Sequence, residues 1–150
     1  MKWDSYFLDI ANTVREKSKD PSTKVGVVIV GPDKQIVSTG FNGFPRAVNE
    51  SSSERWERPT KYDYVEHAER NAIYNAARHG IALRGCMLYM VGLGPPTIPC
   101  FDCARAIIQS GITLVIGRSF KPVPDRWLKN LKGAQSMLTE AGVVCLEEQP

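Results

Sequence analysis

The run Val25–Val30, VGVVIV, constrains this chain more than any other stretch. Short, β-branched and almost continuously apolar, it has the pattern of a strand buried inside a sheet. A buried strand needs neighbours in its sheet and cover on its faces, and the flanking sequence supplies both. GPDKQ is turn chemistry, and IVSTGF after it returns as a second strand, making a hairpin. CMLYMV, TLVIG and VVCLE add three more strand-like runs. Between the runs the periodicity is helical. WDSYFLDIANTVREKS places Trp3, Phe7, Ile10, Ala11 and Val14 on one face. Further helices are expected over His67–His79 with Gly80 as the stop, over CFDCARAIIQS closed by Gly111, and over Pro124–Ala141 stopped by Gly142. The order α-β-β-α-β-α-β-α-β implies a five-stranded sheet of mixed pairing with helices on its faces. Residues 42–64 lack periodicity, and a loop that long in a small domain is functional or mobile.

A chain of 150 residues suits one compact domain. No repeat or composition shift divides it, so residues 1–150 read as a single unit. The net charge of +3 falls well short of a dedicated nucleic-acid binder, although it would favour approach of a small anion. No stretch reaches the roughly 18 apolar residues of a membrane span. The charged opening MKWDSYFLDIANTVREKSKD has no signal-peptide core. A cytoplasmic protein without a membrane partner is the expectation. In that compartment Cys86, Cys100, Cys103 and Cys145 suit metal binding or burial better than disulfides. Cys86 and Cys145 fall inside apolar runs and read as core.

Chemistry concentrates in VEHAERNAI and PCFDC. His67 and Glu69 are two apart, a spacing that does not share a helix face. His67, Cys100 and Cys103 are all zinc-binding residue types. The two cysteines lie one turn apart at the start of a helix, and His67 starts the preceding helix. Backbone N–H groups and the helix dipole at such starts favour thiolates. Three protein ligands leave one tetrahedral position open, as in a catalytic rather than a structural zinc site. Glu69 then needs only to reach the water that such a zinc polarises, where a carboxylate can move a proton. The competing reading is a non-enzymatic zinc-binding module. It would need a fourth ligand, and of the nearest two, His79 and Cys86, His79 lies about 18 Å along the helix from His67. It also leaves Glu69 without a purpose. The pattern H-x-E…P-C-x-x-C is that of zinc-dependent nucleobase deaminases.

On HAERNAI, PCFDCARAIIQSGI, DPSTKVGVVIV and GFNGFPR, nearly the whole chain resembles the cytidine/deoxycytidylate deaminase superfamily, most closely its dCMP deaminase branch. The resemblance implies a three-layer α/β/α fold, Zn2+ held by His67, Cys100 and Cys103, and Glu69 as the catalytic proton shuttle. It implies that the Ala68 N–H binds the base carbonyl and that the carbonyl near Pro99 accepts from the amino group. Asn42 would bond the deoxyribose, and Ser22, Thr23 and Lys24 the 5′-phosphate. A lysine and two hydroxyls before a strand are also suitable phosphate donors on chemistry alone, although a plain turn with a solvated lysine remains open. Arg46 lies in the same loop system. The implied reaction is hydrolytic deamination of dCMP to dUMP with release of ammonia. The implied assembly is a homo-oligomer, a hexamer, regulated by dCTP and dTTP with Mg2+. Two features depart from the branch. VGLGPPTIPC is longer than expected, and Phe120 stands near where a tyrosine is common. Rival substrates are free cytidine, dCTP, a 5-substituted dCMP and a tRNA base, the last disfavoured by the modest charge.

Overall fold

The structure, a computed structural model, describes residues 1–148. Strands β1 (Gly26–Val30), β2 (Ile36–Phe41), β3 (Met87–Leu93), β4 (Leu114–Lys121) and β5 (Val144–Glu147) form one sheet in the order β2-β1-β3-β4-β5. β1 is antiparallel to both of its neighbours, and β3, β4 and β5 run parallel. Every residue of β1 is buried. Its alternating side chains divide between two cores. Val28 and Val30 meet Phe7, Leu8 and Ala11 of helix α1 (Trp3–Arg15) on one face. Val27 and Ile29 join the core of the other face, with Ala68, Ala72 and Ala76 of α3 (Ala68–Arg78). Helices α4 (Phe101–Ser110) and α5 (Asp125–Glu140) cover that same face through Ala104, Ile107, Ala134 and Leu138. The result is the expected α/β/α arrangement around a mixed five-stranded sheet.

Small residues bring α3 against the sheet at backbone contact. Its buried alanines recur every four residues and form one smooth stripe. Opposite them lies Gly40 of β2, where a Cβ would sit 2.4 Å from the Ala72 nitrogen and 2.5 Å from the Ala68 oxygen. The Ser38 hydroxyl donates to the Ala72 carbonyl at 2.6 Å and fixes the helix along its axis. Because β2, β3 and β4 point the same way, α3, α4 and α5 all begin at the sheet edge where those strands end.

The structure differs from the sequence expectation in three places. β1 starts at Gly26 because the Val25 N–H leaves the ladder and donates to Asn42 Oδ1 at 2.8 Å. β4 runs beyond Gly117 to Lys121, since β3 continues to pair with it as far as Leu93. Within residues 42–64, a 3-10 turn at Ser53–Trp56 and a short helix, α2 (Lys61–Tyr64), pack around Phe44. The Phe44 ring lies 4.2 Å from Trp56 and 5.5 Å from Tyr64, so ring stacking rather than periodicity orders this segment. Among the described residues, no helix is long and apolar enough to cross a membrane.

The Gly40 contact gives a test of what seats α3. Gly40→Ala places a methyl group against helix backbone that no rotamer change can relieve. It should cost about 1–3 kcal/mol of stability, read as a lower denaturation midpoint in urea.

Candidate active site

His67 and Cys100 occupy equivalent positions, each the extended residue just ahead of a helix: α3 for His67, α4 for Cys100. This answers the spacing problem of His67 and Glu69. Helical geometry begins only after His67, so the two side chains need not follow the helical period, and both line one cavity. His67 Nδ1 lies 3.4 Å from Cys100 Sγ and 3.4 Å from Cys103 Sγ. The three donor atoms all lie within 4.8 Å of one another. Tetrahedral donors about 2.0–2.3 Å from one zinc stand about 3.3–3.8 Å apart. The cluster therefore fits a zinc ion with one position left open. No other group of this kind occurs among the described residues.

Electrostatics at the cluster suit a cation. Its hydrogen bond with Cys103, aided by His67, holds the Cys100 thiol down to about 4. The His67 imidazole is raised to about 9 by its bond to Cys100, against the effect of burial. Cys103 is pushed well above its ordinary value, first by Cys100 and then by burial. Without metal, protons supply the positive charge that the sulfurs require, and metal binding displaces them. Glu69, buried at 5% exposure, is raised by burial, with His67 opposing. Its carboxylate makes no hydrogen bond to another residue among the described residues.

Two long-range clamps hold the ligands in place. Arg70 Nη2 lies 2.5 Å from Glu66 and Nη1 lies 3.4 Å from Asp102, tying the start of α3 to the start of α4. The segment leading to Cys100 is anchored at Thr97, whose N–H and hydroxyl donate to the Glu147 carboxylate at 2.9 and 3.0 Å. Thr97 also fills the space above Gly117, where an added Cβ would lie 2.2 Å from its own Cβ. The extra length of VGLGPPTIPC is thus folded down onto β4 and β5.

The cavity has a volume of about 370 Å³ and four kinds of wall. His67, Ala68, Glu69 and Cys100 form the reactive part. Met90, Ile98, Trp127 and Leu131 are apolar. Asp20, Thr23, Asn42 and Lys61 form a polar shelf, and Arg58, Lys121 and Arg126 supply cations.

Of the residues expected to touch substrate, Ala68, Thr23 and Asn42 line this cavity, whereas Ser22, Lys24 and Pro99 do not. Ser22 and Lys24 line an adjoining cavity of about 270 Å³ that shares Asp20, Thr23 and Lys121 with the first. The Lys24 amine is 3.7 Å from Glu16, and Arg46 donates to Asn75 at 2.5 Å. Pro99 is buried just ahead of Cys100. Asn42 Nδ2 donates to Asp20 and to the Thr23 carbonyl, so only Oδ1 retains a free lone pair. Sequence reasoning missed Lys61, Arg58, Lys121, Arg126 and Trp127. Their one signal was cationic side chains flanking two unpatterned connections, SSSERWERPTK and KPVPDRW.

A family model described as the cytidine and deoxycytidylate deaminase zinc-binding region matches residues 1–118. The chain belongs to this family. Its zinc is the metal that the Cys₂His cluster suits. The chain is 39% identical over 127 residues to mouse deoxycytidylate deaminase, covering 81% of this chain and 67% of that protein. It is 40% identical over 143 residues to an uncharacterized deaminase encoded in the luxG 3′ region of Aliivibrio fischeri, covering 95% and 90% respectively. In fold it is similar to the crystal structure of dCMP deaminase from cyanophage S-TIM5 in complex with dCMP and dUMP. That match has a TM-score of 0.76 and 23% identity over 99% of both chains.

The purified protein should contain about one zinc per chain, since one set of three ligands is present. Cys100→Ala should lose most of it, because a three-ligand site has none to spare. Metal analysis of both proteins checks this.

Proposed function

We infer that this chain is a zinc-dependent hydrolase that removes the amino group of dCMP to give dUMP and ammonia. The observation that carries the reading is a three-ligand metal cluster with a buried, unpaired carboxylate beside it, both opening into one cavity with cations in its wall. Its 39% identity to a deoxycytidylate deaminase supports the choice of nucleotide.

His67, Cys100 and Cys103 would hold the ion, which when bound supplies the Lewis acidity that lowers the pKa of water toward neutrality. Glu69 takes one proton from the attacking water and delivers it to ring N3, then takes the second from the new C4 hydroxyl and delivers it to the departing amine. The Ala68 N–H, at the first turn of α3, has no helical acceptor and donates to the base carbonyl. The carbonyl near Pro99 accepts from the amino group. Met90, Ile98, Trp127 and Leu131 enclose the base and exclude bulk water. Asn42 meets the sugar through its free Oδ1 lone pair. For the 5′-phosphate we favour Thr23 with Lys121 and Arg126, which line the cavity itself, over Ser22 and Lys24, which line its neighbour.

Residues 1–150 then form one deaminase domain. The reading extends to a cytoplasmic homo-oligomer, a hexamer regulated by dCTP and dTTP with Mg2+. Exposed Ile36 and Phe41 on β2 and Tyr74 on α3 are apolar surface for such an assembly to cover.

Glu69→Gln should keep its zinc and fold yet lose about 10²–10⁴-fold in kcat. Near-normal turnover would remove Glu69 from the proton path. A charge-assisted hydrogen bond is worth about 1.5–3 kcal/mol, so Lys121→Ala should lower kcat/KM for dCMP by about tenfold to a hundredfold. It should leave the low activity on deoxycytidine unchanged, and Lys24→Ala should have the smaller effect. The reverse order would return the phosphate to the DPSTK turn.

A further inference from the structure

Lys61 is a charged side chain that neither the reaction nor the metal site has used. It belongs to the short helix α2, and its side chain is only 6% exposed, yet it lines the cavity. Its ammonium has three N–H groups. Asp20 Oδ2 at 2.7 Å takes one and Ser22 Oγ at 3.0 Å takes another. Among the described residues nothing takes the third. A buried donor without an acceptor is costly, so the contents of the cavity are the natural partner for it.

The surroundings select the kind of partner. The Asp20 side chain is 1% exposed, and the same Oδ2 atom that holds Lys61 also accepts from Asn42 Nδ2 at 3.1 Å. Burial alone would raise the Asp20 carboxyl, but hydrogen bonds from Lys61 and from the Ser22 and Thr23 backbone outweigh it and hold it charged. Lys61 is therefore already neutralised, and a phosphate brought to it would face a carboxylate. Arg58, Lys121 and Arg126 line the same cavity and form no ion pair among the described residues, so they are the better phosphate partners. What suits the shelf is a neutral group that both accepts and donates one hydrogen bond. Lys61 offers the N–H, and Asn42 Oδ1 offers the lone pair. Asp20 holds the two side chains side by side.

We propose that Lys61 is a specificity-determining residue that, paired with Asn42, binds the 3′-hydroxyl of the substrate's sugar. This rests on the dCMP reading. Lys61 donates to the hydroxyl oxygen, and the hydroxyl donates to Asn42 Oδ1.

The test compares kcat/KM for dCMP and for 2′,3′-dideoxycytidine 5′-monophosphate, using zinc-loaded wild type and Lys61→Met, with zinc content and thermal midpoint measured alongside. Wild type should favour dCMP. Lys61→Met should lose about ten- to a hundredfold on dCMP and scarcely change on the dideoxy nucleotide, so that the preference collapses. An equal loss on both nucleotides would overturn the proposal and make Lys61 a brace for the Asp20 turn. Equal wild-type activity on both would overturn it without any variant. Removing the lysine leaves Asp20 buried and unpaired, so Lys61→Gln, which keeps a neutral hydrogen-bonding head toward Asp20, is measured in parallel and read the same way. A wild type that deaminates neither nucleotide would overturn the dCMP reading itself, a result distinct from either of the others.

Discussion

Three helices start at one edge of one sheet, and the chemistry of the protein depends on that convergence. β2, β3 and β4 point the same way, so α3, α4 and α5 each bring an N-terminus to the edge where those strands end. Helix starts present unpaired N–H groups and the positive end of the dipole. Groups able to carry negative charge gather there. The thiols of Cys100 and Cys103, the Glu69 carboxyl and the cavity all lie at this edge. It is also the edge at which open α/β sheets commonly bind ligands.

Close packing sets the precision of the arrangement. Gly40 lets α3 rest on β2 at backbone contact, and Gly117 lets Thr97 settle onto β4. The first contact fixes the height of His67 and Glu69, the second that of the strand-to-helix segment ending in Cys100. Arg70 and Glu147 then lock the two helix starts laterally through Glu66, Asp102 and Thr97. Nδ1 of His67 stands 3.4 Å from both sulfurs, a spacing that suits one shared ion.

The parts legible in the sequence were those written locally. The apolar run at Val25–Val30 announced a buried central strand, and its two alternating sets fill the two cores. His67, Glu69, Cys100 and Cys103 were readable because spacing and helix starts are local properties. The cationic wall of the cavity was not, because it depends on how far β4 runs. Sequence spacing ended that strand near Gly117, but pairing with β3 carries it on to Lys121 at the cavity. Lys24 of DPSTK lines the neighbouring cavity, with its amine 3.7 Å from Glu16. Lys61 was invisible for a related reason. Its partner Asp20 lies far away in sequence, and the segment between them is ordered by the stacking of Phe44, Trp56 and Tyr64.

Ammonia release from cytosine nucleotides tests the central claim most directly. Zinc-loaded protein is incubated with dCMP, deoxycytidine, cytidine and dCTP in turn, and ammonia is followed against a zinc-stripped control. The account predicts rapid release from dCMP, much slower release from deoxycytidine, and none without zinc. Zinc-dependent release that is equal for dCMP and deoxycytidine would contradict the role given to the cationic wall. No release from any of the four by zinc-loaded protein would contradict the deaminase assignment.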